Sequence, residues 1–361
     1  MPTLLQFLLG LVLLVAGAEA LVRGASKLAV AAGISPLVVG LTIVAFGTSS
    51  PELAVSVQSS LRGQGDLAIG NVVGSNIFNV LFILGVSALV TPLIVARQVI
   101  RQEVPVMIGV SVLLLAIALD GRIGRLDAAL LAGLLLVYTV FLIVQSRAQG
   151  RVDADDESGV EQASSWDRHW TVQIALILGG LGLLVLGSDQ LVNAAIDFAR
   201  AFGVSELIIG LTIVAAGTSM PEVATSVMAS IRGHRDIAVG NVIGSNVFNI
   251  LGVLGISGLV APELLVISPP VLAFDLPVMV AVALLCLPIF FTGSVITRGE
   301  GALFLACYVV YTVFLVLAAQ ASPLLPIYRT LVIWVLLPAT FAVLLLVTIR
   351  ARRQSKGSGA A

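Results

Sequence analysis

Eleven apolar runs, each near the length that crosses a bilayer, dominate this chain: 3–22, 35–61, 67–91, 100–119, 125–145, 171–192, 205–231, 236–260, 271–291, 301–319 and 330–349. A helix needs about 20 such residues to span the hydrocarbon core. The runs are continuous, whereas a membrane strand alternates over about ten residues, so a barrel is excluded. Charged residues make up 11% of the chain and hydrophobic ones 58%, against roughly 25% charged in a soluble protein. That much apolar surface has to face lipid. The predicted fold class is an all-α polytopic membrane protein. A net charge of −1 offers no basic field for nucleic acid. Cys286 and Cys307 both sit in apolar runs, which leaves no ground for a disulfide framework or a zinc site.

Ala16-Gly17-Ala18 resembles a signal-peptide cleavage site, but residues 1–3 carry no Lys or Arg, so the first run is expected to stay as a span. Orientation follows from positive charge in short loops. Arg62, Arg122, Arg125, Arg200 and Arg329 fall on the N-terminal side, and the other 14 of the 19 Lys and Arg on the opposite side. The N-terminus is therefore expected outside and the C-terminus in the cytoplasm, in a cell (inner) membrane. Residues 146–170, with Asp153, Asp155, Asp156, Glu157 and Glu161, have no hydrophobic period and read as a solvated cytoplasmic hinge. No Asp-x-Asp-x-Asp-Gly loop is present there to suggest calcium sensing.

The chain is also a duplication. Residues 40–81 and 210–251 match at a fixed offset of 170, with 28 identities in 42 positions and no gap. The match extends backward more weakly, setting Glu19 against Asp189. Five runs precede the hinge, so the second copy enters the membrane from the opposite side. Two inverted five-helix repeats follow, 1–145 and 171–319, related by a two-fold axis in the membrane plane. Residues 320–361 add an eleventh helix and a basic tail. Such a pair exchanges outward-open and inward-open states about a shared centre, which is transporter architecture.

Each copy interrupts a span with Gly-Thr-Ser-x-Pro-Glu, at Gly47 to Glu52 and Gly217 to Glu222. Proline removes a helix donor, so carbonyls around Ala45 to Thr48 and Ala215 to Thr218 are expected to be free, which membrane depth tolerates only around a polar cavity. Glu52 and Glu222 lie mid-span, where an acid costs roughly 2.5–3.5 kcal/mol, and no Lys or Arg lies in the central runs to pair with them. Facing each other, they call for a cation between them. The next helix in each copy carries Gly-Ser-Asn-x-Phe-Asn. Ser75 and Asn79 share a face, as do Ser245 and Asn249, and their oxygens can complete a cation shell. Asn76 and Asn246 point elsewhere and read as helix-to-helix bonds. Gly70, Gly74, Gly240 and Gly244 read as packing positions. Carboxylate, hydroxyl, carbonyl and amide oxygens suit Ca2+, Na+, Mg2+ or K+ rather than softer metals, and Ca2+ suits them better than Mg2+, which dehydrates reluctantly. Glu19, Asp189 and Asp275 lie near span ends, where a charge is cheap.

The paired GTSxPE and GSNxFN segments resemble the alpha-repeats of the calcium/cation antiporter superfamily, in its prokaryotic sodium/calcium exchanger branch. The motif match covers about 84 residues and the ten-span pattern residues 1–319. The resemblance implies that Glu52 and Glu222 are shared Ca2+/Na+ carboxylates. It implies too that the carbonyls of Ala45, Thr48, Ala215 and Thr218, with the hydroxyls of Ser49, Ser75, Ser219 and Ser245, complete neighbouring sodium sites. The first and sixth spans would form a sliding gate. Several members carry Asp where Asn249 stands; both copies here have Asn, which puts a further mid-site charge and potassium dependence in doubt. The eleventh span lies outside the family pattern, and the hinge is too short for regulatory calcium-binding domains.

The expected activity is secondary antiport of Ca2+ against Na+ by alternating access, with Ca2+/H+ exchange as the nearest alternative. Ca2+ and Na+ are cargo, no cofactor is expected, and the bilayer is the one surrounding partner the sequence calls for. A hydrolase using Ser49 or Ser219 lacks a base, since His169 and His234 fall outside the runs. A channel is set apart by the absence of gradient-coupled counterflow.

Overall fold

The computed structural model describes residues 3–149, 169–204, 206–209, 212–213, 215–291 and 293–336. It is helical nearly throughout: α1 Thr3–Ala32, α2 Pro36–Thr48, α3 Ser50–Leu61, α4 Gly65–Val90, α5 Val99–Asp120, α6 Arg125–Ala148, α7 Trp170–Ala201, α8 Glu206–Ile209, α9 Ala215–Gly217, α10 Met220–Ile231, α11 Arg235–Val260, α12 Val271–Phe291, α13 Arg298–Ala319 and α14 Leu325–Leu331. Eight of the described helices are long and apolar enough to cross a membrane, and α2 with α3, bent by 46° at Ser49, pass the same test as a pair. The chain is a multi-pass membrane protein. The seventh run, 205–231, lies partly outside the described residues and the eleventh is described only as far as Leu336. Most of the hinge at 146–170 also lies outside them.

Helices α4 and α11 form the centre. In their most apolar stretches 78% and 89% of residues are buried, against 6% in α13, which packs on α4 through Gly301 and Leu305. Both central helices change pitch at the same place: Asn79–Leu84 and Asn249–Leu254 are single π-helical stretches within them. Such bulges insert a residue into the hydrogen-bond ladder, turn side chains out of register and recur at functional sites. Glycine lets α2 lie close on α11: a Cβ at Gly244 would strike the backbone of Leu41. The antiparallel ribbons β1 Leu93–Ile94 with β4 Val295–Ile296, and β2 Arg122–Ile123 with β3 Leu265–Val266, tie inter-helix turns together at the two ends of the molecule.

Helices α1 and α7 run well past the apolar stretches expected at 3–22 and 171–192. Hydropathy drops at Arg23 and Lys27, but Ala, Leu, Lys and Arg are good helix formers and carry the helix on. Glu19 and Asp189 therefore sit in helix interiors, while the bridge from Arg232 in the turn after α10 keeps Glu19 level with a span end. Asp275 lies where the sequence places it, in the opening turn of α12. It closes a π-helical turn, Val271–Asp275, and accepts a hydrogen bond from Tyr311 Oη at 2.8 Å.

Candidate ion-binding site

Each Gly-Thr-Ser-x-Pro-Glu segment is a helix break. Ser49 (φ −81°, ψ 10°) separates α2 from α3, and Ser219 (φ −89°, ψ 8°) precedes α10. Pro51 and Pro221 sit in the first turn that follows, where their missing N–H costs nothing. Glu52 and Glu222 come next, also in the first turn. There the helix dipole favours negative charge.

The two breaks meet across the repeats. Ser49 Oγ donates to Glu222 Oε1 at 2.9 Å, and Ser219 Oγ donates to Glu52 Oε1 at 2.8 Å. Ser219 Oγ also lies 3.3 Å from Ser75 Oγ. Below them the asparagines of α4 and α11 interlock. Asn76 Nδ2 donates to the Asn246 carbonyl (3.2 Å) and Asn246 Nδ2 to the Asn76 carbonyl (3.3 Å). Asn79 Nδ2 donates to Asn246 Oδ1 (3.0 Å) and Asn249 Nδ2 to Asn76 Oδ1 (3.1 Å). Every donor of this square faces protein, so the side-chain oxygens of Asn79 and Asn249 are the atoms left over.

Those leftovers define the chemistry. Glu52 Oε2, Glu222 Oε2, Asn79 Oδ1 and Asn249 Oδ1 are buried with no hydrogen-bond partner, as are the hydroxyls of Ser245 and Thr218. The two glutamates are each 1% exposed. Among the described residues no Lys, Arg or His bonds to either. A buried acceptor without a partner costs about 1–3 kcal/mol, more if charged, and here four occur as two repeat-related pairs. Hard oxygens without donors are what a dehydrated Ca2+ or Na+ ion binds.

The carbonyls differ from expectation. Ala45 O already accepts from Ser49 N at 3.0 Å. Proline deprives the carbonyl four residues earlier, which is that of Gly47 or Gly217, and Gly217 O is taken by Ser188 Oγ at 2.7 Å. Thr48 Oγ1 donates to Asn241 Oδ1 at 3.1 Å. Ala215 opens the short helix α9, one turn before Ser219.

A second carboxylate cluster escaped the sequence reading. Glu103, fully buried in α5, accepts from Tyr138 Oη at 2.7 Å, Gln102 Nε2 at 2.8 Å and Gln98 Nε2 at 3.1 Å. Gln102 and Gln145 exchange two amide bonds of 2.7 and 2.8 Å. The Asp275–Tyr311 bond is the counterpart in the second half. The signal was present: Glu103-Val-Pro-Val-Met107 repeats as Asp275-Leu-Pro-Val-Met279, and Val137-Tyr-Thr-Val-Phe-Leu142 repeats as Val310-Tyr-Thr-Val-Phe-Leu315. Short insertions move these to offsets of 172 and 173, so a fixed offset of 170 misses them. Removing the hydroxyl in Tyr138→Phe strands Glu103 Oε2, with an expected loss of about 1–3 kcal/mol. A lower thermal unfolding midpoint in detergent is the check.

The sequence profile of the sodium/calcium exchanger protein family matches residues 2–144 and 172–317. The putative antiporter CaxA of Alkalimonas amylolytica is 39% identical over 310 residues, covering 84% of this chain and 95% of its own. The sodium/calcium exchanger MaX1 of Methanosarcina acetivorans is 34% identical over 343 residues, covering 86% of this chain and 97% of its own. Among solved structures, the sodium-calcium exchanger NCX_Mj superposes with a TM-score of 0.72 at 30% identity, over 85% of this chain and 97% of its own. A profile that fits both halves, with relatives alike from end to end, shows the family: the chain belongs to the sodium/calcium exchanger family, a transporter of the cation/Ca2+ antiporter type rather than an enzyme.

Proposed function

We propose that the chain exchanges Ca2+ for Na+ across the membrane by alternating access, with Glu52 and Glu222 as carboxylates shared by the two ions. The observation that carries this is the set of four buried acceptor oxygens without donors, on Glu52, Glu222, Asn79 and Asn249. Two carboxylates balance one divalent charge, while the amide oxygens add neutral ligands from α4 and α11. Ser49, Ser219, Ser75, Ser245, Thr48 and Thr218 line the same break and would serve adjacent sodium positions, with backbone carbonyls of 45–48 and 215–218 around them. Filling the site neutralises both glutamates and lowers the cost of closing apolar helices over them. Because Ca2+ and Na+ compete for the same oxygens, movement of the filled site couples one gradient to the other.

The architecture we propose is two inverted five-helix repeats, 1–145 and 171–319, joined by a cytoplasmic hinge at 146–170 and followed by an extra membrane helix and basic tail at 320–361. The N-terminus would face outward from a cell (inner) membrane and the C-terminus the cytoplasm. The antiparallel register of α1 on α7, with Gly10 beside Gly187 and Gly17 beside Gly180, supports inversion, because five crossings reverse the chain direction. Helices α1 and α7 would then be the gate that slides past the core.

Purified protein in liposomes loaded with radiolabelled Ca2+ tests the coupling ion. Release driven by an opposing Na+ gradient at equal pH on both sides is the expected result. Release that follows a pH gradient and ignores Na+ would make the chain a Ca2+/H+ exchanger.

A further inference from the structure

The duplication gives each residue of the first copy a counterpart 170 positions later, and two bridges exist on one side only. Arg232 Nε donates to Glu19 Oε2 at 2.8 Å, joining the end of α10 to α1. The counterparts are Arg62 and Asp189. They form no ion pair among the described residues, and Asp189 Oδ2 accepts instead from its neighbour Gln190 at 3.3 Å. Thr48 Oγ1 donates to Asn241 Oδ1 at 3.1 Å, joining α2 to α11. In the counterpart pair, Thr218 Oγ1 is buried with no partner. Asn71 spends its amide on the Glu52 carbonyl (3.3 Å) and Ser56 Oγ (3.0 Å). The helix-pair bond itself is the same in both halves, since Asn241 Nδ2 also reaches Ser226 Oγ at 3.0 Å. The halves differ in the bridge to threonine.

Exposure breaks the symmetry in the same sense. Helix α1 lies along α10, with no comparable packing of α7 on α3. Val55 on α3 is 40% exposed, whereas Thr225, its counterpart on α10, is fully buried. The uncovered and covered sides lie at opposite ends. Gly65, beside the Arg62 turn, abuts Leu265 of β3, whereas α11, which begins after the Arg232 turn, meets β1 of the other ribbon.

We propose that these are two sets of alternating latches. Glu19–Arg232 and Thr48–Asn241 hold the Arg232 end shut while the Arg62 end is open. In the opposite state both break, and Asp189–Arg62 and Thr218–Asn71 form in their place. An exposed ion pair is weak, which suits a latch, because a bridge that opens at one end is replaced by its twin at the other and neither state becomes a trap. Glu19, Asp189, Arg62 and Arg232 are thus positioning residues, acting on the gate and not on the ion. The inference rests on the alternating-access reading given above.

The test uses the full chain in liposomes, with Cys286→Ala and Cys307→Ala as the parent. Asp189→Cys with Arg62→Cys reports closure of the Arg62 end through the rate of oxidative cross-linking. Adding Glu19→Gln, or separately Arg232→Gln, is expected to raise that rate by about 1.4- to 5-fold, the population change that an exposed pair's loss implies. Joint charge reversal, Glu19→Arg with Arg232→Glu, should return it to the starting rate, which damage to the fold would not do. An unchanged rate in both single variants, in a parent that carries Ca2+ flux, overturns the latch and leaves the antiport reading standing. A parent with no gradient-driven Ca2+ flux overturns the antiport reading itself.

Discussion

Glu52→Gln and Glu222→Gln are each expected to abolish the proposed Ca2+ exchange, to below about one hundredth of the parent flux, while the protein stays folded. The substitution is nearly isosteric, and the retained amide oxygen still accepts the Ser219 or Ser49 hydroxyl that now binds Oε1. The change falls on Oε2, which is buried and without a partner. In Gln that position carries an NH2 group, a donor aimed at the cation in place of an acceptor, and the charge is gone. Two unit charges 4 Å apart at an effective dielectric of 20 interact by about 4 kcal/mol, and a factor of ten needs only about 1.4 kcal/mol. A dehydrated divalent ion cannot recover that from neutral ligands. Without ions, each variant should be at least as stable as the parent, because one fewer buried carboxylate is left uncompensated. The parent should gain thermal stability on adding Ca2+, as ligand linkage requires, and the variants should gain little or none. Flux in reconstituted liposomes and unfolding midpoints with and without Ca2+ decide it together. Normal uptake by either variant would remove its glutamate from the site.

How much of this was legible in the chain depends on what each residue reports. Glu52 and Glu222 announce themselves because an acid in an apolar run is costly and the duplication shows it twice. Helix ends were less legible. Arg23 and Lys27 close a hydropathy window but not a helix, so α1 runs on to Ala32. The carbonyl reading took in the whole stretch from Ala45 to Thr48, within which Ser49 N closes the bond at Ala45 and proline opens the ladder at Gly47. Glu103 went unseen because its repeat partner is shifted by two residues and shortened to Asp275. The bridges between copies, such as Ser49 to Glu222 across 173 positions, are properties of packing that periodicity alone does not state. The Thr48–Asn241 bond, which has no Thr218–Asn71 counterpart, belongs to one conformation, and two matching motifs carry no information about which copy makes it.

A methyl group added at Gly17 or Gly180 should disrupt the molecule more than a larger change at the glycine next door. Helices α1 and α7 run antiparallel with backbones touching. A Cβ at Gly17 would lie 2.8 Å from the Gly180 carbonyl oxygen, and one at Gly180 would lie 2.7 Å from Leu21 N. Gly10 and Gly187 repeat the arrangement seven residues away on each helix, so the two helices meet along a seam, not at a point. Inside a bilayer no hydrophobic gain draws two apolar helices together; close van der Waals packing between small residues does. Gly17→Ala and Gly180→Ala must push rigid backbone apart, since no flexible side-chain end can yield. Overpacking of this kind costs about 1–3 kcal/mol, and Gly17→Leu, which separates the helices further, should leave no stable transporter. Gly179, adjacent in sequence, is exposed with open space around it. Gly179→Leu is therefore expected to keep its unfolding midpoint and its Ca2+ flux. If Gly17→Ala and Gly179→Ala shift the midpoint equally, the glycines serve backbone flexibility and the seam is not what holds the first and sixth spans together. A midpoint lowered in Gly17→Ala, with flux falling alongside it, ties the fold and the moving gate to the same few ångströms of close-packed backbone.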